Sequence, residues 1–375
     1  MGVADYTKSD DGAIIACTHC GGRSLRKDGW KYYKNTKKQV WYCYSCHKKS
    51  VSPDIIEDSP FKVEERDPES LPINELIEFR NKQYLQKAKS KDSRRLVNID
   101  INIDGPVGIA HFGDPHVDDD GTNLAQIFHY VDILNNCEGM FSGNLGDIQN
   151  NWIGRLQALY GAQSTSARES WRLTEYFVSK VQWLYLVAGN HDVWSGEGDP
   201  LEFMMRDHKG LYERFGARMN LRFPNGKEIR INARHTFKGN SIWNTAHGVA
   251  RAAQTGWKDH ILTCGHTHVS GYQVLKDPSS GLVSHALQVA SFKIYDSYAD
   301  KLGLDDKNIF NCPVTIIDPR FEDYDNRLIT TIFDPIMASK YLTFLRKDYN
   351  KLNNEKIKKD DKHGNGEKKE HNNKK

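Results

Sequence analysis

The stretch Val107-Gly108-Ile109-Ala110-His111-Phe112-Gly113-Asp114-Pro115-His116 is a short, mostly apolar run closed by two metal-ligating side chains. Four further stretches repeat the plan. Gly146-Asp147 follows the run 139–145, and Gly189-Asn190-His191-Asp192 follows 183–188. His235 follows 228–234, and Gly265-His266-Thr267-His268 follows 260–264. Each run reads as a strand with its polar motif at the C-terminal end, the edge where ligands and metals bind in sheets with helical crossovers. One match would carry little. Five in the same relation place a metal centre for chemistry on an oxygen-rich substrate at that edge.

Working outward, the strand runs alternate with helical patterns at 122–136 and 164–181, which argues for an α/β sandwich between about residues 98 and 333. Pro224-Asn225-Gly226 marks a hairpin leading into the His235 strand, and residues 277–281 mark a second turn. His111 lies inside its strand and reads as structural. Asp118, Asp119 and Asp120 read as a solvated acidic turn closed by Gly121, with an outer metal contact as the alternative. Arg155 could pair with a phosphate or form a surface ion pair, since guanidinium groups bind phosphate in bidentate fashion. Residues 334–347 form a last helix. The Lys-rich tail to 375 is expected to be disordered, having too little apolar surface to fold.

Upstream, residues 12–52 carry four of the seven cysteines as Cys17-x-x-Cys20 and Cys43-x-x-Cys46. Two such knuckles suit one tetrahedral structural zinc. His19 and His47 flank them and read as surface residues. Cys137, Cys264 and Cys312 read as small buried apolar groups. Residues 53–72 are Pro-rich and acidic, a linker, and 73–92 carry a helical pattern, so 53–97 join the head to the main domain.

Charge is polarised. The segment from Cys17 to Lys49 is +8 and the tail from Arg346 is +5, leaving −10 for the rest of a chain whose total is +3. A basic head and tail point to a polyanionic partner. In the head, Arg26, Lys27, Lys31, Lys37 and Lys38 interleave with Trp30 and Trp41, a pattern suited to nucleic acid, where cations meet phosphates and rings stack on bases. The competing reading makes the rings a small core and the lysines a solvated face. No run of about 18 apolar residues exists, so no membrane span is expected. The polar residues 1–16 carry no signal-peptide core. A reducing cytoplasm is therefore expected, and a disulfide framework is not.

The ordered set Asp114/His116, Asp147, Asn190/His191/Asp192, His235 and His266/His268 resembles the calcineurin-like metallophosphoesterase superfamily over about residues 107–270. That resemblance implies a four-layer α/β sandwich and two divalent metals: manganese, with iron, zinc or nickel as alternatives for such mixed oxygen and nitrogen donors. It implies that Asp114, His116 and His268 hold the first metal, that Asn190, His235 and His266 hold the second, and that Asp147 bridges them. Water activated between the metals would attack phosphorus. His191 would be the general acid or a phosphate contact, with Asp192 orienting its ring. His247, in a His-Gly pair common at the equivalent ligand, is the alternative to His235, although it opens a helical pattern.

Ser/Thr protein phosphatases carry G-N-H-E and an acid-Arg-Gly continuation. Here G-N-H-D stands, and Ile148-Gln149-Asn150-Asn151 follow Asp147. The chain is thus closer to the DNA-repair exonuclease and phosphodiesterase branches. The head resembles transposase-type zinc ribbons. The combination with a Lys-rich tail is similar to proteins of large bacteriophages, which would place it in a host cytoplasm. The expected function is a metal-dependent phosphodiesterase or nuclease docked through the ribbon. The alternatives are a phosphatase or phosphodiesterase on small nucleotides, with the ribbon used for protein contact, and a non-catalytic binding protein.

Overall fold

The structure, a computed structural model, describes residue 8 and residues 13–51, 53–56, 71–93, 96–151, 161, 163–193, 199–295 and 310–370. The chain divides into two compact units, Met1–Gln83 and Tyr84–Lys375.

In the first unit, β1 (Ile14–Ala16) precedes β2 (Leu25–Tyr32), β3 (Lys37–Cys43), β4 (Lys49–Ser50) and β5 (Asp54–Ile56). Strands β2, β3 and β4 form an antiparallel sheet in that order, and β1 pairs with β5. Its core is small: Ile15, Cys17, Leu25, Trp41 and Cys43. Most of the stretch read as a linker lies outside the described residues. Helix α1 (Ile73–Ser93) follows and crosses the unit boundary; its Ile73, Ile77, Tyr84 and Leu85 are exposed.

The second unit continues with β6 (Val97–Asp100), β7 (Val107–Phe112), α2 (Leu124–Asn135), β8 (Met140–Asn144), α3 (Ala167–Lys180) and β9 (Trp183–Val187). Then come α4 (Pro200–Met204), β10 (Leu211–Glu213), β11 (Gly216–Arg222), β12 (Glu228–Arg234) and α5 (His247–Thr255). Last are β13 (Ile261–Cys264), β14 (Gly271–Lys276), β15 (Val283–Gln288), β16 (Val314–Ile317), β17 (Ile329–Ile332) and α6 (Pro335–Glu370).

Two six-stranded mixed sheets result. The first has the order β10-β9-β8-β7-β16-β17, with β10 to β7 parallel. The second has the order β14-β15-β13-β12-β11-β6, with β12, β13 and β15 parallel. Strands β7, β9 and β13 are buried along their whole length, the pattern of parallel strands covered on both faces. The turn at 224–226 joins the antiparallel pair β11 and β12, and the turn at 277–281 joins β14 and β15.

Side-chain alternation then divides the cores. Ala110, Phe112 and Leu186 pack with Ile127, Val131, Phe177, Val178 and Leu342 from α2, α3 and α6. Val107, Ile109, Tyr185 and Val187 share a second cluster with Met219, Leu221, Ile229, Ile231 and Ile261 of the other sheet. Val249, Ala250 and Ala253 of α5 pack on Leu262 and Ala286.

Helices α2 and α3 are slightly shorter than the sequence patterns because side chains cap them. Asn123 accepts from the Gln126 N–H, and Ser166 forms a reciprocal capping box with Glu169. Helix α6 extends past residue 347 to Glu370, within the stretch read as a disordered tail; residues 371–375 lie outside the described residues. Intrahelical hydrogen bonds need no buried face, and Lys and Glu are good helix formers. Among the described residues, no helix is long and apolar enough to cross a membrane.

Candidate metal centres

In the first unit, the knuckle turns bring Cys17, Cys20, Cys43 and Cys46 together. The Cys17 and Cys46 sulfurs lie 3.6 Å apart and those of Cys20 and Cys43 3.7 Å apart. Four thiolates at about 2.3 Å from a zinc ion would be about 3.8 Å from one another. None of the four is in a disulfide. The backbone N–H groups of His19 and Ser45 donate to the Cys17 and Cys43 sulfurs at 3.4 and 3.3 Å. The donor set therefore suits zinc without a histidine, and His47 instead pairs its Nδ1 with the Tyr42 hydroxyl at 2.8 Å.

The proposed nucleic-acid residues of this unit do not share one environment. Trp30 is about half exposed with Lys37 Nζ 4.7 Å above its ring, and Lys31 lies 5.7 Å from the exposed Tyr33 ring. Arg26 stacks over Tyr42 at 4.9 Å. Arg26, Lys27, Lys31, Lys37 and Lys38 are exposed. Trp41 is a correction: at 6 % exposure it fills the core beside Cys17 and Cys43 and offers no face for stacking.

In the second unit, the five motifs converge. Asp114 and His116 follow β7, Asp147 follows β8, and Asn190 and His191 follow β9, all from adjacent parallel strands. His235 follows β12, and His266 and His268 follow β13, its parallel neighbour. Ligand atoms of Asp114, His116 and His268 lie within 4.8 Å of one another, as do those of Asp147, His235 and His266, and those of His116, Asp147 and His191.

Around His235 Nε2 stand Asn190 Oδ1 at 2.9 Å, His266 Nδ1 at 2.9 Å and Asp147 Oδ2 at 3.2 Å. Around the other group, His116 and His268 bring their Nε2 atoms to 3.2 Å, and His268 Nε2 lies 3.3 Å from Asp114 Oδ2. Donor atoms sharing an ion at about 2.1 Å stand about 3 Å apart. His235 Nδ1 donates to the Leu145 carbonyl at 2.9 Å, which leaves the Nε2 lone pair turned inward. Asp114 Oδ1 is buried with no hydrogen-bond partner among the described residues, an acceptor that a cation would satisfy. The residues present fit divalent ions.

Electrostatics follow the same logic. Burial, with His268 and His191 nearby, holds His116 well below the ordinary imidazole range, so one ring nitrogen keeps its lone pair free. Burial likewise lowers His266. Burial opposes charge on both Asp147 and His235, but their mutual attraction outweighs it, depressing Asp147 and pushing His235 up to about 10. A bound cation would stand in for that proton.

The backbone is bent to the task. His116 (φ 40°), Asp147 (φ 51°), His266 (φ 74°) and His268 (φ 56°) all occupy the left-handed region. That conformation costs a non-glycine residue of order 1–3 kcal/mol and clusters at functional sites. Two glycines permit the close approach. A Cβ on Gly189 would stand 2.0 Å from Asp147 Oδ1, and one on Gly265 would stand 2.3 Å from Asp114 Oδ1.

His247, the alternative to His235, belongs to none of the ligand groups found among the described residues. It is the first residue of α5, and its ring lies beside Gly239. Asp192 is a second correction. Its carboxylate accepts the backbone N–H groups of Gly189, Asp147 and Ile148 at 2.7–3.0 Å, so it ties the two motifs together rather than orienting His191. Burial and the Asp147 carboxylate push its pKa up to about 7. The His191 ring is held through Nδ1 by the Asn150 carbonyl at 2.6 Å, and its Nε2 lies 3.7 Å from Asp147 Oδ2.

A third correction concerns the acidic turn. Asp118 and Asp119 are buried, and only Asp120 reaches solvent, because Asn150, Ser170 and Lys293 supply polar partners. His111 is buried between the Tyr185 and Thr315 hydroxyls. Arg155 lies outside the described residues. The sequence reading also passed over Ile242 and Trp243, which are 90 % and 91 % exposed on the loop between His235 and α5. The Thr245 hydroxyl ties that loop to the Ser270 carbonyl, two residues past His268. The sequence matches no protein-family model and none of the curated proteins.

Proposed function

We propose that the chain is a metal-dependent phosphoester hydrolase of the calcineurin-like kind, acting on the phosphodiester bonds of nucleic acid. One observation carries this reading: two three-residue ligand groups, drawn from the ends of adjacent parallel strands, stand side by side, and Asp147 belongs to one of them and to the group that includes His191. Asp114, His116 and His268 would hold one divalent ion. Asn190, His235 and His266 would hold the other, with Asp147 common to both. Two such ions supply an activated water and neutralise charge on the phosphate.

The chain's own groups do the rest. Asp192 keeps the backbone of the Asp147 and Asn190 loops in register through three N–H groups. His191 keeps Nδ1–H on the Asn150 carbonyl and presents Nε2 beside Asp147. As an imidazolium it would give that Nε2 proton to the leaving oxygen. The two sheets sharing one cluster, with α2, α3 and α6 on one sheet and α5 on the other, support a four-layer α/β sandwich. Trp30 under Lys37, and the exposed Ile242 and Trp243, support a substrate with bases as well as phosphates.

Full-length protein with added Mn²⁺ is expected to hydrolyse both bis(p-nitrophenyl) phosphate and a single-stranded oligonucleotide. Replacing Trp30 and Lys37 with Ala should slow the oligonucleotide reaction alone. Equal rates on the oligonucleotide in variant and wild type would favour small nucleotides as substrates. No hydrolysis of either compound with Mn²⁺, Fe²⁺, Zn²⁺ or Ni²⁺ would end the hydrolase reading.

A further inference from the structure

The hold on His191 continues inward for two more layers. Asn150, whose carbonyl accepts from the imidazole, is itself 1 % exposed. Its backbone N–H donates to Asp118 Oδ1 at 2.7 Å, and its side-chain amide reaches Asp118 Oδ1 at 3.3 Å and Asp119 Oδ2 at 3.0 Å. The second oxygen of Asp118 accepts the Ser170 hydroxyl of α3 at 2.7 Å. Asp119 Oδ2 also pairs with the buried Lys293 ammonium at 2.9 Å, and its Oδ1 accepts the Gly121 N–H at 2.8 Å. On the far side, Asn151 stands in the left-handed region at φ 46° and donates Nδ2 to the His191 carbonyl at 2.8 Å.

This arrangement exceeds what closing a turn requires. Two adjacent carboxylates and an ammonium have been taken out of water, a desolvation that an exposed turn would not incur. Their partners come from three distant places in the chain, and the residue on which both carboxylates converge is Asn150. The peptide group whose carbonyl faces the His191 ring is thus fixed at both ends, by the carboxylates before it and by the left-handed Asn151 after it.

We propose that Asp118 and Asp119, braced by Lys293 and Ser170, are positioning residues for His191: through Asn150 they set its tautomer and aim its Nε2 at the reacting group. The identity of that group as a leaving oxygen rests on the hydrolase reading; the clamp itself does not.

The test uses full-length protein loaded with Zn²⁺ and two substitutions. Asp118→Ala removes both acceptors, and Asp118→Asn keeps one oxygen able to take the Asn150 N–H. Histidine-ring ¹H–¹⁵N spectra should show a protected Nδ1–H for His191 in the wild type. That signal should be lost to exchange in Asp118→Ala and retained in Asp118→Asn, at unchanged metal content. In kinetics, Asp118→Ala should slow a phenyl phosphodiester, whose leaving group needs a proton, by about tenfold to a hundredfold. The p-nitrophenyl ester, whose leaving group does not, should slow by less than about threefold. Asp118→Asn should recover most of the difference.

Equal slowing of both esters, or an unchanged Nδ1–H in Asp118→Ala, would overturn the proposal. If Asp118→Ala does not fold, Ser170→Ala, which takes the brace from Asp118 Oδ2, decides the matter: a lower ratio of phenyl-ester to p-nitrophenyl-ester rates supports the proposal, and an unchanged ratio overturns it. A wild type that hydrolyses neither ester, yet shows the ring signal lost in Asp118→Ala, would refute the hydrolase reading and leave the clamp standing.

Discussion

The four cysteines rest on a cluster of Ile15, Leu25 and Trp41 to which Cys17 and Cys43 themselves belong. The His/Asp ligands instead hang from the ends of five strands whose side chains fill two large cores. In the first unit, ligand and core are nearly the same residues, so binding an ion and folding would be one event. In the second, the scaffold exists independently, and it holds four ligand residues in left-handed backbone conformations. A bound metal would therefore make structure in one place and use structure in the other.

Stripping metal is the largest test of that contrast. A thiol-competing chelator should abolish the β2–β3 amide signals, since structural zinc contributes about 10–16 kcal/mol of apparent folding energy in small domains. The signals of β7, β9 and β13 should survive. Persistence of the β2–β3 sheet without metal would break the comparison. Next in size, Asp147→Asn should cut turnover on the order of a thousandfold, about 4 kcal/mol of barrier. Zinc on the cysteines and the melting of the second unit should hardly change, and full activity would contradict a shared carboxylate.

Smaller still is the ligand comparison. His235→Ala should weaken one ion of the His/Asp centre by more than the roughly tenfold to hundredfold typical of lost outer contacts. His247→Ala should leave metal content alone, and the reverse result would reassign the ligand. The smallest effect concerns the scaffold itself. Burial lowers the His285 pKa from 6.5 to about 4, with its Nδ1 beside the Tyr272 hydroxyl. A depressed imidazole leaves stability unaffected above the unfolded value and removes it as pH falls from 6.5 through 4, because the unfolded chain binds the proton first. Urea unfolding of metal-stripped protein at pH 7 and 4.5 should therefore differ less in His285→Gln, by up to about 3 kcal/mol. An unchanged difference would remove that histidine from the account.

The ligand positions were legible in sequence because each sits where a short, mostly apolar run stops, a local signal. Asp114, His116, Asp147, Asn190, His235, His266 and His268 meet for that reason. The zinc knuckles were legible from spacing. What surrounds the ligands was not, because it depends on distant partners. Three consecutive aspartates look solvated until Asn150, Ser170 and Lys293 arrive to bury two of them. Asp192 looks like a neighbour for His191, but three backbone amides compete for it. Trp41 looks like a stacking platform until a unit with so little apolar material takes it into its core.

Gly189 and Gly265 set terms for anyone who would transplant this centre. Each glycine leaves a hollow that the carboxylate of another motif occupies, Asp147 at Gly189 and Asp114 at Gly265. The motifs interlock like the wards of a key, with a missing side chain as the slot. A designer who copied the seven ligands onto a new scaffold and filled those two positions with alanine would have every donor and no room for it.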